Sequence, residues 1–166
     1  MFRRVDDFSQ GWAQESESTL KLLRTLTDDS LAQRATPTTR SLGELAWHLV
    51  GTLFEMPTAA GLSVETLPED TPVPASAAEI AETYERAARR VGEAVAAEWT
   101  DEALTGEVEM YGERWSRGLT LAILVAHQTH HRGQMTVLMR LAGLRVPGVY
   151  GPAREEWEAM GLPAQV

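Results

Sequence analysis

The sequence predicts an all-α protein, and more closely a four-helix bundle. Four stretches of the chain carry apolar residues at spacings of three and four, the period of an amphipathic helix. Two of these stretches open with a Ser-x-x-Glu capping box, and the chain contains no convincing sheet pattern. With 166 residues, 43% of them hydrophobic, the chain can bury one sizeable core, so we expect a single domain spanning residues 1–166.

The first two helices are predicted by their apolar stripes and by the residues that bound them. The second begins at the capping box Ser41–Glu44 and should stop before Pro57, because the residue that precedes a proline avoids the helical conformation. About ten residues separate the two helices, a length that favours antiparallel neighbours. The first helix lies between about residues 6 and 29, and its buried stripe consists of Trp12, Ser16, Thr19, Leu23 and Leu26.

The third and fourth helices follow longer connections. Residues 59 to 75 include three prolines and form an irregular connection; extended, it could span about 56 Å, enough to return along a helix of about 36 Å. Such a crossover would leave the second and third helices parallel. The third helix opens at the capping box Ser76–Glu79 and ends near Trp99. Residues 107 to 111 alternate like a short extended piece, the fourth helix covers residues 119 to about 142, and a short tail helix lies around residues 153 to 160.

Composition excludes several classes of function. The formal net charge of −9 disfavours binding to nucleic acid or to an anionic membrane surface. Because the chain has no cysteine, it cannot form a disulfide, a thiolate metal site or a cysteine nucleophile, so any metal must be held by histidines and carboxylates. No apolar run approaches the length of a membrane span, and the first residues do not resemble a signal peptide. We therefore expect a soluble, cytoplasmic protein.

The four histidines carry the strongest functional signal. His127 and His131 lie four residues apart on the fourth predicted helix, so their β-carbons should be about 6 Å apart on one face. His48 occupies the matching inward position on the second helix. Three imidazoles from two helices could form a metal site with open coordination positions, which is typical of a reactive centre.

Other interpretations of these histidines have to be compared with a metal site. Inward histidines are often core residues bonded to backbone carbonyls, although three unpaired ones would each cost about 1–3 kcal/mol. A metalloprotease helix needs Glu at position 128, where this chain has Gln, and a di-iron bundle needs Glu-x-x-His pairs, which do not occur. His130 lies on another face of its helix and is predicted to serve in packing or an interface.

Three segments resemble the DinB/YfiT-like superfamily: His127-Gln-Thr-His-His-Arg-Gly-Gln134, Leu138-Met-Arg-Leu-Ala-Gly143 and Val146-Pro-Gly-Val-Tyr-Gly151, together with a histidine in the second helix. The resemblance implies a left-handed four-helix bundle with an up-down-down-up course, with the long crossover between helices 2 and 3. It also implies a divalent metal on three histidines, which correspond here to His48, His127 and His131. Zinc and nickel are favoured by the resemblance, and iron or manganese would also accept imidazole ligands. Many such proteins are homodimers.

The resemblance and the residues together suggest a metal-dependent thiol S-transferase. Relatives in the superfamily include enzymes that join a low-molecular-weight thiol such as bacillithiol to an electrophile, and a mycothiol-dependent maleylpyruvate isomerase. A dication held by neutral imidazoles would ionise a bound thiol at neutral pH. The same centre could ionise water and act as a hydrolase, and a non-catalytic, metal-stabilised bundle acting as a sensor or interaction module is the third alternative.

Several further residues could support such a site. Glu44, one turn before His48, could orient that histidine, but it also has a capping role. Arg132 could bond an acid on a neighbouring helix or a substrate, and Gln134 belongs to the same segment. Three aromatic residues could line a substrate cavity or belong to the core: Trp12, Tyr111 and Trp115.

Overall fold

The computed structural model describes residues 1–68 and 70–163. Four long helices make up most of it: α1 (Val5–Leu23), α2 (Leu42–Ala59), α3 (Ala77–Glu98) and α4 (Arg117–Leu141). A hairpin of two short strands, β1 (Glu107–Met110) and β2 (Glu113–Ser116), precedes α4, and a short helix, α5 (Arg154–Trp157), follows it. Single 3₁₀ turns cover Asp28–Ala32, Ala103–Thr105 and Glu158–Met160. Among the described residues, no helix is both long and apolar enough to cross a membrane.

Each long helix packs mainly against two others. Helix α1 contacts α3 and α4, and α2 contacts the same two, so α1 lies diagonally across from α2. The expectation that the first two helices are direct neighbours was therefore wrong. The reason lies in their connection: the 3₁₀ turn Asp28–Ala32 packs on α2, and the amide of Leu42 donates to the carbonyl of Gln33, so the connection leads the chain across the bundle.

Trp12 lies in the core and not on a substrate cavity. Its ring is 3% exposed, stacks on Phe8 with ring centroids 5.7 Å apart, and donates from Nε1 to the carbonyl of Ala88 on α3 at 2.8 Å. Of the two alternatives for Trp12, the core position is therefore confirmed. The same contact ties α1 to α3 through the largest side chain in the predicted stripe.

The helix starts follow the predicted capping chemistry. The box at Ser41–Glu44 is complete, because the Ser41 hydroxyl accepts from the Glu44 amide and the Glu44 carboxylate accepts from the Ser41 amide. At α3 half of the predicted box is present, because the Ser76 hydroxyl accepts from the Glu79 amide, and Asp28 accepts from the Ala77 amide at 2.8 Å. A side chain from the 3₁₀ turn thus helps to cap α3.

Two helix ends differ from their predicted positions. Helix α2 continues through Pro57 to Ala59, and beyond the proline the amides of Ala60 and Leu62 still donate to the carbonyls of Met56 and Pro57. The helix ends where Gly61 adopts a positive φ of 89°. Helix α1 ends at Leu23, before the predicted residue 29, and Thr27 caps the following 3₁₀ turn.

The hairpin shows that the all-α prediction was incomplete. The extended piece predicted at residues 107 to 111 is β1, and it pairs in antiparallel register with β2, which was not predicted. Tyr111 and Gly112 connect the strands with positive φ angles of 53° and 81°, as in a type I′ turn. Tyrosine is an unusual residue at this position, so the sequence lacks the Asn-Gly or Asp-Gly signal of such hairpins.

Candidate metal centre

Three histidines converge between α2 and α4. His127 Nε2 lies 3.2 Å from His48 Nε2 and 3.1 Å from His131 Nε2, and the ring centroids are 4.4 to 4.9 Å apart. His131 is buried, whereas His48 and His127 are half-buried. The predicted grouping of His48, His127 and His131 is therefore present in the structure.

Hydrogen bonds alone do not account for this convergence. An imidazole nitrogen has one in-plane direction in which it either donates or accepts, whereas His127 Nε2 faces two other Nε2 atoms. Bonds of about 2.0–2.1 Å to a common ion would place the nitrogens about 2.8–3.4 Å apart at octahedral or tetrahedral angles. The observed separations lie in this range, so the three residues could bind a metal ion.

The side chain of Gln134 fixes the tautomer of His131. The Gln134 Oε1 atom accepts from His131 Nδ1 at 2.7 Å, which leaves the lone pair of His131 on Nε2, towards the other two rings. The Gln134 amide nitrogen lies 3.1 Å from Nε2 of His130, which is exposed. His130 is not part of the three-histidine group, as its helical position predicted.

The environment of the site keeps its imidazoles neutral. Burial, followed by the positive charge of Arg40 and the neighbouring rings, lowers the pKa of His48 to about 4. Burial also lowers the pKa of His127 to about 4 and lowers that of His131. Neutral imidazoles are the form that binds metal, so the site is ready for a cation at neutral pH.

For Glu44 the capping alternative is confirmed, and the described contacts do not include one with His48. Both carboxylate oxygens of Glu44 accept from the Arg34 guanidinium, at 2.8 and 2.9 Å, and one also caps α2. The described contacts of Glu44 thus point away from the histidines. For Arg132 the structural alternative is confirmed: the guanidinium is buried, pairs with Glu15 on α1 and donates to Thr19 at 2.9 Å.

Gln128 has a role that sequence reasoning missed. The Gln128 Oε1 atom accepts from the hydroxyls of Thr19 on α1 and Tyr84 on α3, and Nε2 donates to Leu49 and Thr52 on α2, all within 3.4 Å. This fully buried amide on α4 therefore joins all four long helices. The sequence signal that could have indicated this role is the position of Gln128 between His127 and His131, which both face inward.

An open cleft of about 780 Å³ lies beside α2, and His48 forms part of its wall. Arg40 and Trp47 also line it, although neither was a candidate, and both are close to His48 in the sequence. Tyr111 and Trp115 do not line this cleft among the described residues; they pack edge to face at the hairpin, with ring centroids 5.8 Å apart. Of the two alternatives for these residues, a wall of this cleft is therefore not supported.

Comparison with known proteins gives consistent results. The chain is 44% identical over 164 residues to the uncharacterized protein YrdA of Bacillus subtilis, covering 99% of this chain and 98% of the relative. It is 45% identical to a DinB-like protein from Bacillus cereus whose crystal structure superposes with a TM-score of 0.86, covering 90% of this chain and all of that one. A DinB-like protein from Bacillus subtilis shares the fold at 18% identity, with a TM-score of 0.66 over 84% of this chain and 96% of that one. The model of the DinB family matches residues 1–165, and the chain belongs to this family.

Proposed function

We propose that this protein is a metalloenzyme in which His48, His127 and His131 hold one divalent metal ion. The observation that supports this most directly is the approach of His127 Nε2 to two other Nε2 atoms at 3.1 and 3.2 Å. Burial also lowers the pKa of all three imidazoles, which favours the neutral form that binds a metal ion. Zinc and nickel are the favoured ions, with iron or manganese as alternatives.

We further propose that the enzyme is a thiol S-transferase that joins a low-molecular-weight thiol to an electrophile. A dication held by three neutral imidazoles would favour the ionised form of a thiol entering an open position. The chain has no cysteine of its own, so the sulfur nucleophile would come from the substrate. His48 on the cleft wall gives such a substrate a route to the centre, and Gln134 keeps His131 in the required tautomer.

Metal content tests the first proposal. We expect about one equivalent of a divalent ion in protein purified without an affinity tag and without added metal, measured by elemental mass spectrometry. The double variant His127→Ala/His131→Ala should contain little metal, while His130→Ala, outside the group, should retain it. Equal metal content in the wild type and the double variant would contradict the proposal.

Turnover tests the second proposal. Metal-loaded protein should accelerate the loss of free thiol when bacillithiol or a simpler thiol is offered with an electrophile, and the double variant should not. Ester or amide hydrolysis without thiol consumption would instead support a hydrolase. Metal binding with neither reaction across a panel of substrates would support a sensor or interaction module.

The up-down-down-up course of the helices is also a proposal, and contacts at the helix ends support it. The amide of Phe2, just before α1, donates to the carbonyl of Gly118 at the start of α4, so these two helices start at the same end of the bundle. The side chain of Arg117, also at the start of α4, donates to the carbonyl of Ala60, so α2 finishes at that end. Val5 at the start of α1 bonds Asp101, just beyond α3. These contacts are consistent with α1 and α4 running one way and α2 and α3 the other. The left-handed twist stays a prediction.

We propose a homodimer formed through the exposed face of α4. Val137 and Leu141 are 56% and 58% exposed and one turn apart, and Ile123 lies on the same face. Light scattering should give a dimer for the wild type and a monomer for Val137→Glu/Leu141→Glu. A cytoplasmic location, and the absence of nucleic-acid and membrane partners, stay predictions that cell fractionation and binding assays can test.

A further inference from the structure

The cleft beside α2 has two oppositely charged ends. His48 and Glu55, seven residues apart, lie along one side of α2, and Arg40 lines the cleft from the residues just before this helix begins. Trp47, Phe54 and Leu67 provide apolar surface beside them. At 1.5 Å per residue, His48 and Glu55 are about 10 Å apart along the helix axis. A ligand in the cleft would therefore meet a cation on one side of His48 and a carboxylate on the other.

Arg40 brings an exposed guanidinium to the lining of this cleft. Among residues 1–68 and 70–163 this guanidinium has no hydrogen bond or ion pair, whereas nearby Arg34 is held by Glu44. Of the described residues that line the cleft, it alone carries a permanent positive charge. In a chain with a net charge of −9, such a cation creates a local preference for anions.

Arg40 and the candidate metal centre border the same space. Arg40 and His48 both line the cleft of about 780 Å³, so a ligand that fills the cleft can contact both side chains.

We propose that Arg40 is a specificity residue that binds a carboxylate group of the thiol substrate. This inference rests on the proposed function, because it assigns a substrate class to the same site. The planar guanidinium can bind a carboxylate through two parallel hydrogen bonds. A monoanion matches a single arginine better than a phosphate dianion does, since Glu55 in the same cleft repels additional negative charge. Glu55 would in turn accept from an amino group on the same ligand.

Thiol binding to the full-length protein loaded with cobalt(II) tests this inference without turnover. The absorption band between thiolate and cobalt gives the Kd of 3-mercaptopropionate and of neutral 2-mercaptoethanol. We expect Arg40→Gln to weaken binding of 3-mercaptopropionate about tenfold and to leave 2-mercaptoethanol within twofold. Arg40→Lys should retain part of the preference, and Arg89→Gln, an exposed arginine outside the cleft, should retain all of it. An equal effect of Arg40→Gln on both thiols, or no effect on either, would overturn the inference.

A second measurement separates this inference from the proposed function. Phenylglyoxal modifies exposed arginines, and peptide mass spectrometry can follow the rate at Arg40 alone. We expect propionate to slow modification of Arg40 at least threefold, with propionamide and inorganic phosphate having less effect. If propionate protects Arg40 but no thiol produces the cobalt band, the thiol chemistry fails and the carboxylate site stands. If propionate gives no protection, the carboxylate site fails whatever the thiols do.

Discussion

At the scale of single residues, the site could be predicted where chemistry depends on spacing along one helix. The i, i+4 separation of His127 and His131 is fixed by helix geometry, and His48 followed from its place on the matching stripe. Gln128 and Arg40 could not be predicted in the same way, because their roles depend on contacts with other elements. Gln134 was a candidate without a role until its distance to His131 supplied one.

Replacing Gln134 should weaken metal binding. In Gln134→Ala, His131 loses the acceptor that holds the proton on Nδ1, so we expect metal affinity to fall about 10–100-fold. Competition with a chromophoric chelator measures this affinity. Thr136→Ala, which removes a hydroxyl bonded only within its own helix, serves as the control. Unchanged affinity in Gln134→Ala would show that the amide does not orient the ring.

Replacing Gln128 should destabilise the whole fold. In Gln128→Leu the hydroxyls of Tyr84 and Thr19 lose their buried acceptor, so we expect the free energy of unfolding to fall by about 2–4 kcal/mol. Urea denaturation provides the measurement. Gln14→Leu, at an exposed position of α1, should change stability by less than about 0.5 kcal/mol. A loss below about 1 kcal/mol for Gln128→Leu would contradict this role.

At the scale of secondary-structure elements, the sequence predicted helix starts better than helix ends. Capping residues act locally, so the start of α2 at Ser41–Glu44 was correct. Pro57 misled the prediction because a proline near a helix end can be accommodated when the following residues still bond within the helix. The second strand of the hairpin was missed because its pairing depends on the Tyr111–Gly112 turn, which lacks the usual turn residues.

Replacing two glycines of α4 by alanine should change the stability of the protein in opposite directions. A β-carbon at Gly118 would lie 2.1 Å from the Phe2 carbonyl oxygen, so Gly118→Ala must displace the backbone before α1 and should cost about 1–3 kcal/mol. Gly133 has no neighbour within 4 Å of such a carbon, and Gly133→Ala should add up to about 1 kcal/mol. Thermal unfolding of both variants tests the contrast. Destabilisation by both would show that α4 does not tolerate alanine even in open space.

The start of α2 should show a pH-dependent contribution to stability. Hydrogen bonds from Arg34 and from the Ser41 amide lower the pKa of Glu44 below its usual value of 4.5. The carboxylate therefore stabilises the fold above pH 4.5, and this contribution is lost as pH falls through the folded-state pKa.

Glu44→Gln should lower stability by less than about 1 kcal/mol at neutral pH, because the ion pair with Arg34 is partly exposed. The difference in stability between Glu44→Gln and the wild type should shrink as the pH falls below 4.5. Thermal melts between pH 3 and pH 7 measure this difference. Glu93→Gln, which removes an exposed i,i+4 pair on α3, provides a matched control. A difference in stability that stays constant over this pH range would contradict a stabilising role of the ionised Glu44 carboxylate.

At the scale of the whole molecule, the helical class and the grouping of the histidines were predicted, but the arrangement of the helices around the core was not. Amphipathic periodicity shows which face of a helix is buried and says nothing about which helix covers it. The diagonal position of α1 and α2 therefore became apparent only from the packing of each on α3 and α4. The same limit applies to the cleft, whose walls come from α2 and from residues on either side of it in the sequence.

Metal should stabilise the whole bundle, because its ligands join α2 to α4. At an ion concentration 100 times the Kd, we expect a gain of about 2.7 kcal/mol, and thus a rise in Tm of several degrees. Differential scanning fluorimetry with zinc, nickel and manganese measures this shift. His48→Gln should reduce the shift strongly. A rise of equal size in that variant would place the bound ion elsewhere.

The alternation of residues along α4 has a consequence for metal selectivity. His127 and His131 face the candidate centre, whereas the adjacent Gln128 and Arg132 are anchored in the core by hydrogen bonds to other helices. The helix therefore cannot rotate or shift to suit an ion without breaking those bonds. The protein presents a preorganised set of three nitrogens, and an ion must adapt its coordination geometry to that set. Three converging nitrogens fit tetrahedral or octahedral coordination, which zinc and octahedral nickel can adopt, and this rigidity would disfavour square-planar coordination of any ion, irrespective of its intrinsic affinity for imidazole.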